Sequence, residues 1–206
     1  MNGTRVVTGK VRFSFVNVFE AKAFGEGQVP KYSVMLLDTF ADALKGRTNE
    51  RGGIFRAGTG SAMFYLRHDD EISATPDGRY AYTPVADGVS PSAGRDIHGP
   101  TASANSVSKL DHHIASNGTL FNMKFHPSAL KGRAGLESFV ALVRGYFDQK
   151  GSHMQFNVVS RETLIDAQAN PDNYKSLVVR VAGYSALFTT LSRSLQDDII
   201  NRTEQG

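Results

Sequence analysis

Residues 178–186 read VVRVAGYSA, in which three valines and an arginine lead through Ala182 to Gly183. Branched residues over 177–181 predict a strand, and the Gly183-Tyr184 pair predicts a tight turn after it. A glycine in such a turn adopts a positive φ or lets another part of the chain approach closely. Taken alone, this pattern makes Gly183 a structural turn residue, so its wider context decides the interpretation.

Strands and helices alternate on both sides of this turn. The residues that recur at helical spacing before Gly151 predict a strongly amphipathic helix. Alternation of this kind indicates a mixed α/β or α+β fold. The predicted strands cover 119–125, 154–159 and 177–181, and the predicted helices cover 101–111, about 128–149, 161–168 and 190–202.

The N-terminal part differs in pattern from the rest. Two strand-like runs, 11–16 and 32–37, are separated by glycines and a proline, which predicts a short β appendage. One or two helical turns follow over 39–45. We therefore divide the chain into an appendage, 1–38, and a main domain, 39–206.

A long irregular segment is predicted over 73–100, where prolines and glycines recur every few residues. Loops of this length are usually functional or held in place by a larger body. The segment is thus expected to pack on other structure.

Composition narrows the chemistry. The 206 residues are 40% hydrophobic and 21% charged, with a net charge of +3, which is typical of a globular domain and gives little reason to expect nucleic acid. No apolar run has the length of a membrane span, and residues 1–10 lack a secretory core, so we expect a cytoplasmic protein. The absence of cysteine excludes disulfides, thiolate metal sites and a cysteine nucleophile within these residues.

The pattern of 178–186, branched, any, Arg, branched, small, Gly, Tyr, any, small, resembles the signature of glycyl radical enzymes. Residues 86–91, 99–102 and 153–160 also resemble that family, and the likeness extends over about 39–206. It implies a C-terminal glycine radical domain, which is a partial piece of a ten-stranded α/β barrel. It also implies a radical on Gly183, supported by the other residues of the radical loop 178–186, namely Arg180, Val181, Ala182, Tyr184 and Ser185.

The resemblance implies partners rather than bound cofactors. In the family, a separate activating enzyme with S-adenosylmethionine and an iron–sulfur cluster removes a hydrogen from the glycine. The radical then passes to a cysteine thiol that attacks the substrate. Since this chain has no cysteine, we expect another glycyl radical enzyme chain to supply the thiol. The chain is then either a stand-alone radical domain that replaces the damaged or missing domain of a larger enzyme, a spare part, or an inactive gene fragment. The resemblance does not identify the substrate.

The residue types agree with that chemistry. A radical on an α-carbon is stabilised when the neighbouring amide nitrogen and carbonyl become coplanar with it, and glycine flattens without a clash at Cβ. We expect Tyr184 to pack in the core rather than to act in redox chemistry. For Arg180 we expect an ion pair or a backbone carbonyl contact.

Residues 7–37 support a rival function. They resemble the start of a phage-type single-stranded-DNA-binding family, and they combine Lys10, Arg12 and Lys31 with aromatic residues as nucleic-acid surfaces do. Aromatic residues that alternate along a strand more often pack in the core, so we rank this function second.

A metal site is a separate possibility, because residues 111–113 and His126 include the side-chain types that bind metals. Adjacent histidines point in different directions, so we predict no metal site.

Overall fold

A short parallel sheet organises the computed structural model, which describes residues 29–59, 73–74, 79–92 and 94–206. Strand β1 (Asn122–Phe125) pairs in parallel with β2 (Gln155–Val158) on one side and with β5 (Glu204–Gln205) on the other. All four residues of β1 are buried, as expected for a strand covered on both faces. This sheet and the helices around it confirm the predicted mixed α/β class.

Five α-helices accompany the strands in the described residues. Helix α3 (Gly132–Asp148), at 17 residues, is the amphipathic helix that the spacing before Gly151 predicted. Helix α4 (Arg161–Ala169) follows Ser160, whose side chain accepts a hydrogen bond from the backbone of Thr163, as an N-cap residue does. The helices are α1 (Val29–Leu44), α2 (Pro100–Val107), α3 (Gly132–Asp148), α4 (Arg161–Ala169) and α5 (Arg193–Asn201).

The predicted strand at 32–37 is wrong, because these residues lie inside α1. Leu37 and Leu44 are 3% and 7% exposed, whereas Met35 is 52% exposed. A short apolar run fits either a strand or a buried helix face, and here packing against the core selects the helix. The other predicted strand, 11–16, lies outside the described residues. Helix α1 continues past the boundary predicted at residue 38.

A two-stranded hairpin follows α4. Strand β3 (Val178–Arg180) pairs antiparallel with β4 (Ser185–Leu187), so that Arg180 faces Ser185 across the turn. The strand predicted at 177–181 is thereby confirmed. Strand β4 was not predicted from the sequence, because three residues are too few to show a period of two.

The buried side chains form two clusters. The first lies between α1, α2, α3 and β1, and it contains Leu37, Leu44, Val107, Phe121, Met123, Phe125 and Tyr146. The second lies beneath the hairpin, between α4 and α5, and it contains Leu164, Ala167, Val179, Val181, Phe188, Leu195 and Ile199. The hairpin therefore rests on a packed base.

The described parts of 73–99 contain no helix or strand, which agrees with the predicted irregular segment. Yet residues 85–90 are buried. Val89 donates its N–H to the carbonyl of Leu120 at 2.8 Å, and Ser90 Oγ accepts from the N–H of Asn122 at 2.8 Å. This stretch therefore packs on the residues that lead into β1.

Within the described ranges, no helix is long and apolar enough to cross a bilayer.

Candidate functional site

Gly183 lies at the tip of the hairpin, between β3 and β4. Its φ is +82°, a conformation that side chains of L-residues disfavour. The turn closes where Val181 donates its N–H to the carbonyl of Tyr184 at 2.9 Å. Gly183 is exposed. Apart from its chain neighbours, the described side chain nearest to a β-carbon built there is that of Leu120, whose Cδ1 would be 3.3 Å away.

Arg180 anchors the strand that leads into the tip. Its Nε and Nη2 donate to Oε1 of Gln155 at 3.1 and 2.6 Å, and its Nη1 donates to Oγ of Ser185 at 3.0 Å. Its backbone N–H and C=O both bond to the side-chain amide of Asn157, at 2.7 and 2.8 Å. The partners of the guanidinium are thus an amide and a hydroxyl, rather than the carboxylate or backbone carbonyl expected from the sequence.

Val181 and Ala182 are buried, at 0% and 2% exposure, and they hold the loop on the second cluster. The carbonyl of Val181 accepts from Nη1 of Arg202 at 2.9 Å, and Arg202 also forms an ion pair with Asp198 at 3.0 Å. The backbone just before Gly183 is therefore fixed by a charged group from the end of α5.

Tyr184 is 37% exposed, so the expected core packing of its ring is wrong. The residue follows the tip directly, and the turn directs its side chain to the surface while its carbonyl closes the turn. The loop is therefore buried on the side that enters Gly183 and open on the side that leaves it.

Asp87 is a buried carboxyl group close to this site. It is 6% exposed, and Nδ2 of Asn122 donates to its Oδ2. Burial raises the pKa of Asp87 to about 6, although the neighbouring Arg202 guanidinium acts to lower it. The pKa of this carboxyl group therefore lies well above that of an exposed aspartate.

His126, Glu162 and Glu204 offer ligand atoms within 4.8 Å of one another, but other contacts account for this group. Nδ1 of His126 accepts the N–H of Ser128 at 3.1 Å, which places the proton of the neutral ring on the other nitrogen. Glu204 accepts the N–H of Arg161 at 2.7 Å. The buried Lys124 ammonium lies 3.9 Å from the same Glu204 oxygen, where it would repel a cation.

The histidines of 111–113 are structural. Nε2 of His112 lies 3.1 Å from the carbonyl of Val107, and its Nδ1 lies 2.7 Å from Oγ1 of Thr119. Both ring nitrogens are therefore engaged, and burial lowers the pKa of His112. His113 is exposed on the neighbouring surface, so the two rings do not converge.

The residues of the rival function are spread over the first helix and the segment before it. Lys31 lies within α1, while Lys10 and Arg12 lie outside the described residues.

Comparison with known proteins identifies the family. A model of the glycine radical family matches residues 85–189, which include the hairpin, β1 and β2. The chain therefore belongs to the glycine radical family, and it corresponds to the glycyl radical domain of dehydratase- and lyase-type glycyl radical enzymes. A second model, of the single-stranded-DNA-binding protein of Enterobacter phage Enc34, matches residues 4–45.

Relatives of this chain are much longer than it is. It is 44% identical over 170 residues to trans-4-hydroxy-L-proline dehydratase of Clostridioides difficile, a match that covers 82% of this chain and 21% of the relative. It is 47% identical over 135 residues to isethionate sulfite-lyase of Oleidesulfovibrio alaskensis, covering 65% and 16%. The chain thus spans about a fifth of the length of such relatives.

The fold agrees with the sequence match. A solved structure from Roseburia inulinivorans, described for 1,2-propanediol dehydration, superposes with a TM-score of 0.85 at 55% identity. That superposition covers 95% of this chain and 23% of the other. The described fold is therefore the family's own, although it is only part of the complete enzyme.

Several residues of the site were not identified from the sequence. Asn122, Gln155 and Asn157 occupy predicted strands but have polar side chains that are buried, at 7%, 6% and 6% exposure. Polar residues in a buried strand need partners, and that was the available signal. Which partner each one meets depends on the sheet register, which the sequence does not give.

Proposed function

We propose that this chain carries a stable backbone radical on Gly183 and serves a glycyl radical enzyme chain that contains the reactive cysteine. The observation that carries the proposal is the position of Gly183, at the exposed tip of an anchored hairpin with φ of +82°, within the residues that match the glycine radical family. The protein itself is then the cofactor.

The geometry suits a radical on the α-carbon. Without a Cβ, the nitrogen, α-carbon and carbonyl carbon of Gly183 can become coplanar, so the amide nitrogen donates to the radical while the carbonyl withdraws from it. Arg180, Val181 and Ala182 hold the entering strand, and Ser185 holds the departing one through Arg180. The loop is therefore fixed at its base while its tip stays open.

Activation requires removal of one hydrogen atom from the α-carbon of Gly183. We assign this step to a separate radical S-adenosylmethionine enzyme with an iron–sulfur cluster, as the resemblance implies. The C–H bond breaks, the hydrogen atom leaves with the activating enzyme's reactive group, and one unpaired electron stays on Gly183. The exposure of the tip supports approach by a large protein.

Use of the radical requires a thiol from outside these 206 residues, since they contain no cysteine. A hydrogen atom moves from the thiol to the α-carbon of Gly183, so that an S–H bond breaks, a C–H bond forms and the unpaired electron passes to sulfur. The substrate reaction then follows on the cysteine chain. We propose lyase, dehydratase or formate acetyltransferase-like chemistry, in anaerobic metabolism in the cytoplasm.

The surface around the loop supports such a partner. Val158, Val178 and Leu187 are 47%, 57% and 39% exposed, and Tyr184, next to the tip of the hairpin, is 37% exposed. Neighbouring apolar side chains at the surface mark an interaction site. We infer that the cysteine chain covers this patch when it receives the loop.

A rescue assay tests the proposal. Relatives such as the Roseburia dehydratase are truncated to remove the part that superposes on this chain, and are then mixed anaerobically with this chain and a matching activating enzyme. We expect dehydration to return only when all three proteins are present. An activatable domain that restores no turnover would contradict the partner assignment, and failure with several relatives would support an inactive fragment.

A second candidate function rests on the match of residues 4–45 to the phage single-stranded-DNA-binding protein. In that case residues 7–37 bind single strands through Lys10, Arg12 and Lys31. Binding should weaken as salt increases, and the double variant K10Q/R12Q should weaken it at every salt concentration. Fluorescence anisotropy with a labelled single strand measures this, and absence of binding at low salt would exclude the candidate.

A further inference from the structure

We propose that Asp87, Asn122 and Gln155 are positioning residues for the radical loop. Their side chains form a continuous row of hydrogen bonds, here called the polar chain, which ends on the guanidinium of Arg180 and fixes the strand entering Gly183. The inference rests on the proposed function, because the position of the loop matters to chemistry only if Gly183 carries the radical.

All the bonds of the polar chain run in one direction. Arg180 donates twice to Oε1 of Gln155, Gln155 donates through Nε2 to Oδ1 of Asn122, and Asn122 donates through Nδ2 to Asp87. A guanidinium can only donate, so Gln155 must present its amide oxygen to Arg180 and its amide nitrogen to Asn122. Arg180 therefore fixes the orientation of both amides, and the aligned bonds polarise one another.

Because the polar chain is buried, water cannot readily replace a hydrogen bond that is lost from it. Asp87, Asn122 and Gln155 are 6%, 7% and 6% exposed, so water has little access to groups that lose a partner. Leaving a buried donor or acceptor without a partner lowers the stability of the fold by more than its hydrogen bond contributed. Removing Gln155 would leave Oδ1 of Asn122 without its donor, and Nε and Nη2 of Arg180 without their acceptor.

The polar chain joins parts of the molecule that are distant in sequence. Asn122 and Gln155 face each other in register across β1 and β2, so the row crosses the sheet at its first residue pair. Asp87 adds the buried stretch 85–90, and Arg180 adds β3. The loop is therefore held by the parallel sheet and by the irregular segment together.

A second contact reaches the tip from the same place. Leu120, two residues before Asn122, is the residue whose side chain faces Gly183, and its carbonyl accepts the N–H of Val89. Movement of the chain entering β1 would thus shift the polar chain and the apolar contact at the same time. The link between the polar chain and the tip of the loop favours a positioning role over general support of the core.

Hydrogen exchange of the Val181 amide tests the inference in the unactivated protein. This N–H closes the turn at Tyr184, so its exchange reports on opening of the loop. In Gln155→Ala we expect it to exchange about tenfold faster or more, the factor for loss of one charge-assisted hydrogen bond. The amide of Leu164 in α4, bonded to Ser160 at 3.2 Å, serves as the gauge of global opening and should change less.

Gln205→Ala is the matched control. Gln205 is also 6% exposed, and its Nε2 donates to Asp96 at 2.8 Å. It is thus a buried glutamine whose side-chain bond does not belong to the polar chain. We expect Gln205→Ala to leave the ratio of Val181 to Leu164 exchange at the wild-type value. The same rise of that ratio in both variants, or no rise in Gln155→Ala, would overturn the inference.

Arg180→Lys provides a second variant, because lysine keeps the positive charge but lacks the fork that binds Gln155. The variant should accelerate Val181 exchange, and the double variant should add little to either single one, since both break the same bond. Independent, additive effects would contradict a shared chain.

Paramagnetic resonance on the same samples separates this inference from the proposed function. If Val181 exchange responds as expected but no sample, wild type included, forms a radical with several matching activating enzymes, the proposed function fails, and the polar chain is shown to hold the loop without a role in radical chemistry. If wild type forms the radical and exchange does not respond, the positioning role fails.

Discussion

Gly88→Ala is expected to lower the free energy of unfolding by about 3 kcal/mol, from backbone strain and overpacking together. The φ of Gly88 is +55°, and a β-carbon there would lie 2.3 Å from the carbonyl oxygen of Leu120. A backbone atom cannot rotate away as a side chain can, so the 85–90 stretch must separate from the chain entering β1. Denaturant unfolding at constant pH measures the change.

Gly94→Ala is the control for that experiment. Gly94 has a similar φ of +79°, but no atom of the described residues lies within 4 Å of a β-carbon built there. We expect it to lose about 1 kcal/mol, the cost of the left-handed conformation alone. Equal losses in the two variants would show that the close approach of 85–90 to Leu120 has no energetic importance.

Gly183→Ala is expected to abolish the radical and to leave the fold largely intact. The φ of +82° costs alanine about 1 kcal/mol, and the added methyl group meets the flexible end of Leu120 at 3.3 Å. The same methyl group opposes flattening at the α-carbon. The expected result is a cooperative unfolding transition near that of wild type, with no doublet in the paramagnetic resonance spectrum after anaerobic activation.

Gly132→Ala is the matched control for the radical. Gly132 also has a positive φ, +70°, at the start of α3, and among the described residues no atom lies within 4 Å of a β-carbon built there. It should keep the signal of wild type after the same activation. Survival of the doublet in Gly183→Ala would remove Gly183 from the account, whereas its loss in Gly132→Ala would show that the assay responds to stability alone.

The sequence was informative where one short segment carried a complete pattern. The strand at 177–181 with the turn after it, the amphipathic helix before Gly151 and the strand before His126 all have local patterns that the structure reproduces. The helix over 32–37 was mistaken for a strand, because six apolar and polar residues do not distinguish the two periods. Packing of Leu37 on the first cluster decides that segment.

The candidate site was predictable only at its centre. The pattern around Gly183 identifies the residue, but its anchors come from positions 87, 120, 157 and 202, which no local pattern connects. Their meeting depends on the parallel register of β1 and β2 and on the close approach allowed by Gly88. Arg180 shows the same limit, since its type suggested a carboxylate and its surroundings supply an amide.

Paramagnetic resonance of the chain labelled with α-deuterated glycine tests the central claim most directly. After anaerobic incubation of unlabelled protein with a matching activating enzyme, we predict a doublet, because one hydrogen remains on the α-carbon of Gly183. In the labelled protein that splitting should collapse to a single line. A radical signal that keeps its splitting after deuteration, or no organic radical at all, would contradict the assignment of Gly183 as the radical site.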